Sequence, residues 1–373
     1  MNKIFEKGGK LWWLHSTADA FDTFLAVPGT VTSKGSHVRD AVDLKRIVII
    51  ALIAAIPAAL FGMWNVGYQH SLAINGAGAG LDILANFWYG LLRVLPLYVV
   101  AYAVGLFIEF GTAQIRGEEV NEGFLMTGFL IPLIVPVDVP LWMLAIAVAF
   151  ATIFGKEVFG GTGMNIWNPA LLTRAFLFFS YPSCMSGSNC WIHIGKGEQV
   201  VDGFTGATPL ALDGASAQYG TGVWDYIIGT VPGSVGETSV IAIALGAILL
   251  IWTGVASWKI MLSTVAGALC VGGLAQAFGA TDIACWEQLI LGGFAFGTVF
   301  MATDPVTSAQ TECGKWIYGF LVGALCVTVR VFNPGYAEGM MLAILLGNTF
   351  APLIDHIVVS THISRKAKKL KTA

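Results

Sequence analysis

The sequence predicts an all-α integral membrane protein of about ten transmembrane helices, in two structurally repeated halves that each contain short or broken helices. Three observations predict it. Hydrophobic residues make up 56% of the 373 and charged residues only 12%, with a mean hydropathy of +0.73, a composition foreign to soluble domains of this length. Charge-poor apolar runs recur along the chain, several near the roughly 20 residues that cross about 30 Å of hydrocarbon. Pro and Gly interrupt such runs at corresponding places in the two halves.

Residues 1–46 form a polar cytoplasmic region, in which "LWWLHSTADAFDTFLAVP" spaces its aromatic and aliphatic positions as an amphipathic surface helix does. Residues 47–362 form the polytopic domain. Its first charge-poor runs are 47–64, 91–110 and 139–154, the first two near the length that spans. Between and after them, 123–136 and 168–182 are shorter and interrupted by Pro, which suits tilted or broken helices that rely on protein neighbours. The later runs are 239–256, 260–278, 289–302, 317–332 and 339–359, and residues 363–373 are a basic cytoplasmic tail. A faint duplication links the halves: Gly-Phe opens a short apolar segment at 123 and at 293, and Asn-Pro follows at 168 and at 333.

Seven of the 20 Lys and Arg lie in residues 1–46 and five in 365–371, whereas the loop of about 183–237 holds only Lys196 against five acids. Both termini are therefore expected in the cytoplasm and that loop outside, which requires an even number of spans. No signal peptide is expected. Four of the six cysteines lie in or beside apolar helices and read as small core residues. Cys184 and Cys190, at the start of the external loop, are left open between free thiols and a disulfide. No CxxC or HxxxH spacing points to a metal or cluster site, and no nucleic-acid partner is expected.

The external loop contains "DGFTGATPLALDG" (202–214). Taken alone, Thr208-Pro209 reads as a helix start, with Thr as cap and Pro at the first helical position. Gly206 and Ala207 leave room for a group to approach the backbone there. Asp202, Thr205, Gly206, Ala207 and Thr208 resemble a flavinylation motif, in which a flavin transferase joins FMN to the last hydroxyl through a phosphoester. The segments "DTFLAVPGTVTSKGSHVRDAVDLKR", "KEVFGGTGMNIWNPALLTRAFLFFSYP" and 301–356 resemble the B subunits of sodium-translocating NADH:quinone reductases, over nearly the whole chain. The D subunits of Rnf complexes share the core and the motif, but the long N-terminal region fits the B subunits better.

The resemblance implies a membrane redox subunit with covalent FMN on Thr208 and a riboflavin inside the same subunit, reducing ubiquinone toward the cytoplasmic side with coupled Na+ transport. It implies a bacterial inner membrane and a six-subunit complex, including an NADH/FAD/Fe–S subunit and a second subunit with covalent FMN. "FGGTG" (159–163) lacks the spacing and the preceding strand of a dinucleotide site, so NADH oxidation is assigned to another subunit. Acids at membrane depth are functional candidates by default. Glu122 and Asp355 match positions that the family links to sodium uptake, and Asp304, Glu157, Glu109 and Glu338 are weaker candidates. Carboxylates suit a hard cation. The plain alternatives are that Glu157 pairs with Lys156 and that Asp304 caps the segment starting at Pro305. Asn165 and Asn168 are candidate riboflavin contacts, because a flavin ring needs donors and acceptors along its edge; their alternative is to satisfy backbone groups at a helix break. Phe24, Leu25, Pro28 and Gly29 are the candidate quinone border. From another functional class, the repeat and broken helices alone would also suit a passive channel or secondary transporter.

Overall fold

The computed structural model describes residues 15, 17, 32, 34–36, 44–76, 82–117, 120, 122–185, 190–195, 197–201, 204, 206–212, 223–333 and 338–372. Among these, the secondary structure is helical throughout. In the first half, α1 (Leu44–Asn75) and α2 (Ile83–Arg116) form a long hairpin. They are followed by the short α3 (Gly123–Ile134), then α4 (Leu141–Gly155) and α5 (Pro169–Ser180). The second half runs through α6 (Val240–Trp252), α7 (Trp258–Ala277), a broken segment, α8 (Glu312–Phe332) and α9 (Met340–Thr372). The broken segment consists of Glu287–Ile290, Phe294–Phe296 and a π-helical turn Gly297–Met301.

Among the described residues, six helices are long and apolar enough to cross a membrane, and α3, α5 and α6 are shorter apolar helices. At about 1.5 Å per residue, the 32 residues of α1 reach about 48 Å. Large apolar side chains face outward, among them Leu84, Leu92, Val99 and Phe107 on α2, as lipid contact demands. The buried stripe of α2 runs Asn86, Gly90, Val94, Leu97, Ala101, Gly105 and Glu109, steps of three and four residues that keep one face against the protein.

The duplication seen in the sequence reappears in the packing. α2 packs on α4 as α7 packs on α8; α4 meets α5 as α8 meets α9; α3 touches α1, α2 and α5 as the broken segment touches α6, α7 and α9. The halves join where α1 packs on α6 and where α5 touches α9. Only the close α1–α2 crossing has no equally close counterpart among the described residues.

Lipid tails give apolar helices no hydrophobic reason to associate, so close backbone approach carries much of the packing. A Cβ added at Gly90 would lie 1.7 Å from the Met63 carbonyl oxygen, and one at Gly246 would lie 2.4 Å from that of Ala54. Irregular backbone is satisfied from neighbouring helices. Asn65 Nδ2 donates to the Val231 carbonyl at 2.9 Å and Gln69 Nε2 to that of Thr230 at 2.9 Å, while Gly236 N–H donates to the Leu133 carbonyl at the end of α3.

Gly90→Leu is expected to destabilise the protein by more than the ~1–3 kcal/mol of ordinary overpacking, because backbone and not a movable side chain occupies the space. Thermal unfolding of the detergent-solubilised chain would read this as a lowered Tm, with the exposed Gly111→Leu as the neutral control.

Candidate functional sites at the two ends of the bundle

Where α4 stops, the chain must reverse quickly to begin α5. Gly160, Gly161 and Gly163 take φ of 118°, 89° and 91°, values open to Gly and costly to other residues, so "FGGTG" is a turn. Asn168 then starts α5: its Oδ1 accepts from Ala170 N–H at 3.0 Å and Leu171 N–H at 3.4 Å, with Pro169 at the first helical position. Its Nδ2 reaches across to Asp304 Oδ2 at 3.3 Å. Asp304 in turn accepts from Val306 N–H at 3.1 Å and the Thr307 hydroxyl at 3.0 Å, which closes a turn over residues 305–307; no helix starts at Pro305 for it to cap. Burial nevertheless pushes the Asp304 carboxyl above its ordinary range, against these three hydrogen bonds.

These residues line one cleft of about 890 Å³, counting its open mouth. Leu44, Ile47, Val48, Leu130 and Phe300 supply apolar wall; Lys156, Asn165, Asn168 and Asp304 supply polar groups. Asn165 Nδ2 donates to the Trp167 carbonyl at 3.1 Å. Glu122, beside the lining residue Gly123, pairs with Lys45 at 3.1 Å. The expected pairing of Glu157 with its neighbour Lys156 does not occur. Glu157 instead takes Arg116 at 3.2 Å and Lys156 takes Glu109, because adjacent residues at the end of α4 point apart and α2 offers a partner to each.

Asp355 lies away from this cleft, on α9. It accepts from Gln310 N–H at 2.7 Å, Thr311 N–H at 3.0 Å and the Thr311 hydroxyl at 2.6 Å. Among the described residues its bonds are thus to neutral donors, unlike those of Glu122 and Glu157. Phe24, Leu25, Pro28 and Gly29 lie outside the described residues, as does most of the N-terminal amphipathic stretch.

A second pocket, of about 410 Å³, lies at the other end of α6 and includes Thr208, Trp191, Ser234, Glu237, Gly292 and Glu338. Thr208 is half-buried behind the buried Gly206 and Ala207, and Phe204 packs against Ala73, Cys190, Trp191 and Ile192. Asp202 and Thr205 lie outside the described residues. The expected helix start at Thr208-Pro209 is a single 3-10 turn, Pro209–Leu212. No side-chain cap forms there among the described residues, and so short a turn develops little dipole. Beside it, Arg174 binds Glu237 at 2.7 Å and approaches Glu338 at 3.9 Å. Burial raises the Glu237 carboxyl, against the pull of Arg174 and with the help of Glu338. Neither Cys184 nor Cys190 forms a disulfide among the described residues, and burial pushes the Cys190 thiol up to about 11.

The two pockets stand at opposite ends of shared elements. Glu237 and Thr238 precede α6, and Leu250 near its end with Val255 and Ala256 just after it line the other pocket; Leu291 and Gly292 lie between the first two pieces of the broken segment, and Val299 and Phe300 near its end with Thr303 to Val306 just beyond. The 13 residues of α6 set a separation of about 20 Å.

Residues 31–364 match the protein family described as NQR2, RnfD, RnfE. The chain belongs to this family. Curated relatives, each named as the B subunit of a Na(+)-translocating NADH-quinone reductase, include the protein of Ectopseudomonas mendocina, 45% identical over 97% of this chain and 96% of its own. That of Stutzerimonas stutzeri is 44% identical over the same shares, and that of Chromohalobacter salexigens 44% identical over 98% and 94%.

In this family member, the bases inside the bundle escape a reading that looks only for acids. Lys156 and Arg174 are buried, and Arg330 donates to the carbonyls of Gln288, Leu291 and Glu338. The signal was present: a Lys or Arg within or next to an apolar run is as costly as an acid there.

Arg174→Leu would strand the buried Glu237 carboxylate and take the cation away from the half-buried Glu338, with an expected loss of about 3–5 kcal/mol. Since protonation relieves such a carboxylate, thermal unfolding should show the deficit shrinking as pH falls through the raised Glu237 range. Cys190 should be alkylated slowly at pH 8, where a thiol titrating near 11 is about 0.1% thiolate, and the rate followed by mass spectrometry should climb with pH toward that value.

Proposed function

We propose that this chain is the membrane redox subunit of a sodium-translocating NADH:quinone reductase in a bacterial inner membrane, with both termini cytoplasmic. It carries FMN on Thr208 and riboflavin in the cleft of Asn165 and Asn168, and delivers electrons to ubiquinone with coupled Na+ movement. The observation that carries the reading is the pair of polar-lined pockets at opposite ends of α6, one with the motif threonine and the other with the predicted flavin contacts. The names of the curated relatives support the same reading.

The residues fit the two groups. At the outer pocket, the Thr208 hydroxyl is the oxygen available for a phosphoester, Gly206 and Ala207 keep bulk away from it, and Arg174 offsets the neighbouring carboxylates. The inner cleft offers amides, hydroxyls and one Lys, with no Arg or glycine-rich phosphate cradle among the described residues of its wall, which suits a flavin without phosphate. Its aliphatic and aromatic wall excludes water and suits a planar ring. A bound flavin exchanges one or two electrons and so bridges one-electron carriers and a two-electron quinone.

For Na+, Asp355 has the strongest claim by charge, since neutral donors leave its carboxylate uncompensated, whereas Glu122 and Glu157 are neutralised by Lys45 and Arg116. Asp304 sits beside the flavin cleft, where cation and redox chemistry would meet. Phe24, Leu25, Pro28 and Gly29 are the proposed quinone border. NADH oxidation falls to a partner subunit carrying FAD and Fe–S, a second covalent-FMN subunit completes the relay, and a flavin transferase matures Thr208.

Mass spectrometry of the chain produced with its flavin transferase tests the reading. An adduct of FMN size is expected on the Thr208 peptide and absent from Thr208→Ala, with acid-extractable riboflavin retained in both. An unmodified wild-type peptide under those conditions would overturn the assignment.

A further inference from the structure

Lys156 is 3% exposed and Glu109, its partner from α2, is 5% exposed. Burying this pair is not needed to hold α2 to α4, since Arg116 and Glu157 already tie the same two elements one step away. The Lys156 ammonium has three N–H donors, and among the described residues it spends one, on Glu109 Oε1. The Phe124 ring lies 5.8 Å from Nζ on one side. Lys156 is also a lining residue of the inner cleft, and the one basic residue among the described residues of its wall. A desolvated ammonium with unspent donors at a cleft wall calls for an oxygen or nitrogen acceptor inside that cleft. The nearby acid does not fill the role: Asp304 directs its oxygens to Asn168, Val306 and Thr307.

We infer that Lys156, held in place by Glu109, is a ligand-binding residue of the cleft that selects the electron-rich, anionic form of a conjugated ring over its neutral form. The inference rests on the reading of the cleft as the riboflavin site. Two-electron reduction of a flavin at neutral pH leaves a negative charge spread over the N1 and C2 carbonyl edge of the ring, the acceptor edge that an ammonium donor recognises. The oxidised ring is neutral and gains only a hydrogen bond there. The ammonium therefore lowers the free energy of the reduced form more than that of the oxidised form, which amounts to raising the midpoint potential of whatever flavin the cleft holds.

The test uses the full chain produced without flavin transferase, purified in detergent and titrated anaerobically with riboflavin, either oxidised or reduced by dithionite. The quantity read is the ratio of the two dissociation constants. Lys156→Met alone would strand Glu109, so the informative variant is Lys156→Met with Glu109→Met, a replacement of a buried ion pair by apolar residues that proteins often tolerate. The double variant is expected to bind oxidised riboflavin more weakly by the loss of one hydrogen bond, to bind reduced riboflavin more weakly still, and so to lose about tenfold of its preference for the reduced form, equivalent to about 30 mV for a two-electron couple. Lys156→Arg, which keeps the charge, is expected to keep the preference. An unchanged ratio in the double variant would overturn the inference and leave Lys156 as a tie between helices. A wild-type chain that binds neither form would instead overturn the riboflavin reading, and the inference with it.

Discussion

Backbone amides in hydrocarbon have no water to turn to, so every interruption of a helix has to be repaired by the protein itself. That constraint organises the structure around its broken segment. Between Glu287 and Met301 the helix stops twice and then widens into a π turn, with Ala302 N–H bonding to the Gly297 carbonyl five residues back. Arg330 collects the carbonyls of Gln288 and Leu291 that the first break releases, and Glu338 accepts the N–H of Gly293 at 2.9 Å. The matching interruption in the first half, α3, ends under the loop whose Gly236 donates to Leu133. Charged residues in the bundle thus serve first as substitutes for missing helix turns, and the pockets open where those substitutes gather.

The two pockets share more than α6. Arg174, which holds Glu237 at the Thr208 pocket, and Asn168, which reaches Asp304 at the cleft of Asn165, belong to the same short helix α5 and its cap, six residues apart. Across from it, Gly292 lies between the first two pieces of the broken segment and Asp304 just beyond its end. The two pockets are therefore wired to the same pair of irregular elements, one from each half, and the long helices α1, α2, α7, α8 and α9 form the frame around them.

Much of this was legible in the sequence, because membrane helices are written locally. Apolar run length gave the long spans, and the paired Gly-Phe and Asn-Pro signals gave the repeat that the packing bears out. Asn168 at a helix break followed from side-chain chemistry, whereas the segment that Asp304 was expected to cap is only a turn. What could not be read was cross-chain electrostatics. Lys156 and Glu157 are neighbours in sequence, yet their partners Glu109 and Arg116 lie 47 and 41 residues away, and only the fold says which carboxylate meets which cation. The 3-10 turn after Thr208 escaped for the opposite reason: Thr-Pro signals a helix start but says nothing about how soon the helix ends.

The glycine crossings also bear on stiffness. Where Gly90 sits on the Met63 carbonyl and Gly246 on that of Ala54, one backbone rests directly on another with no side chain between them to deform. Such contacts resist rolling and sliding, since any rotation brings a side chain into collision with main chain. α1, α2 and α6 consequently behave as a single rigid post. Compliance is left to elements whose hydrogen bonding is already irregular, above all the π turn, whose extra residue can be passed along a helix at little cost in bonds.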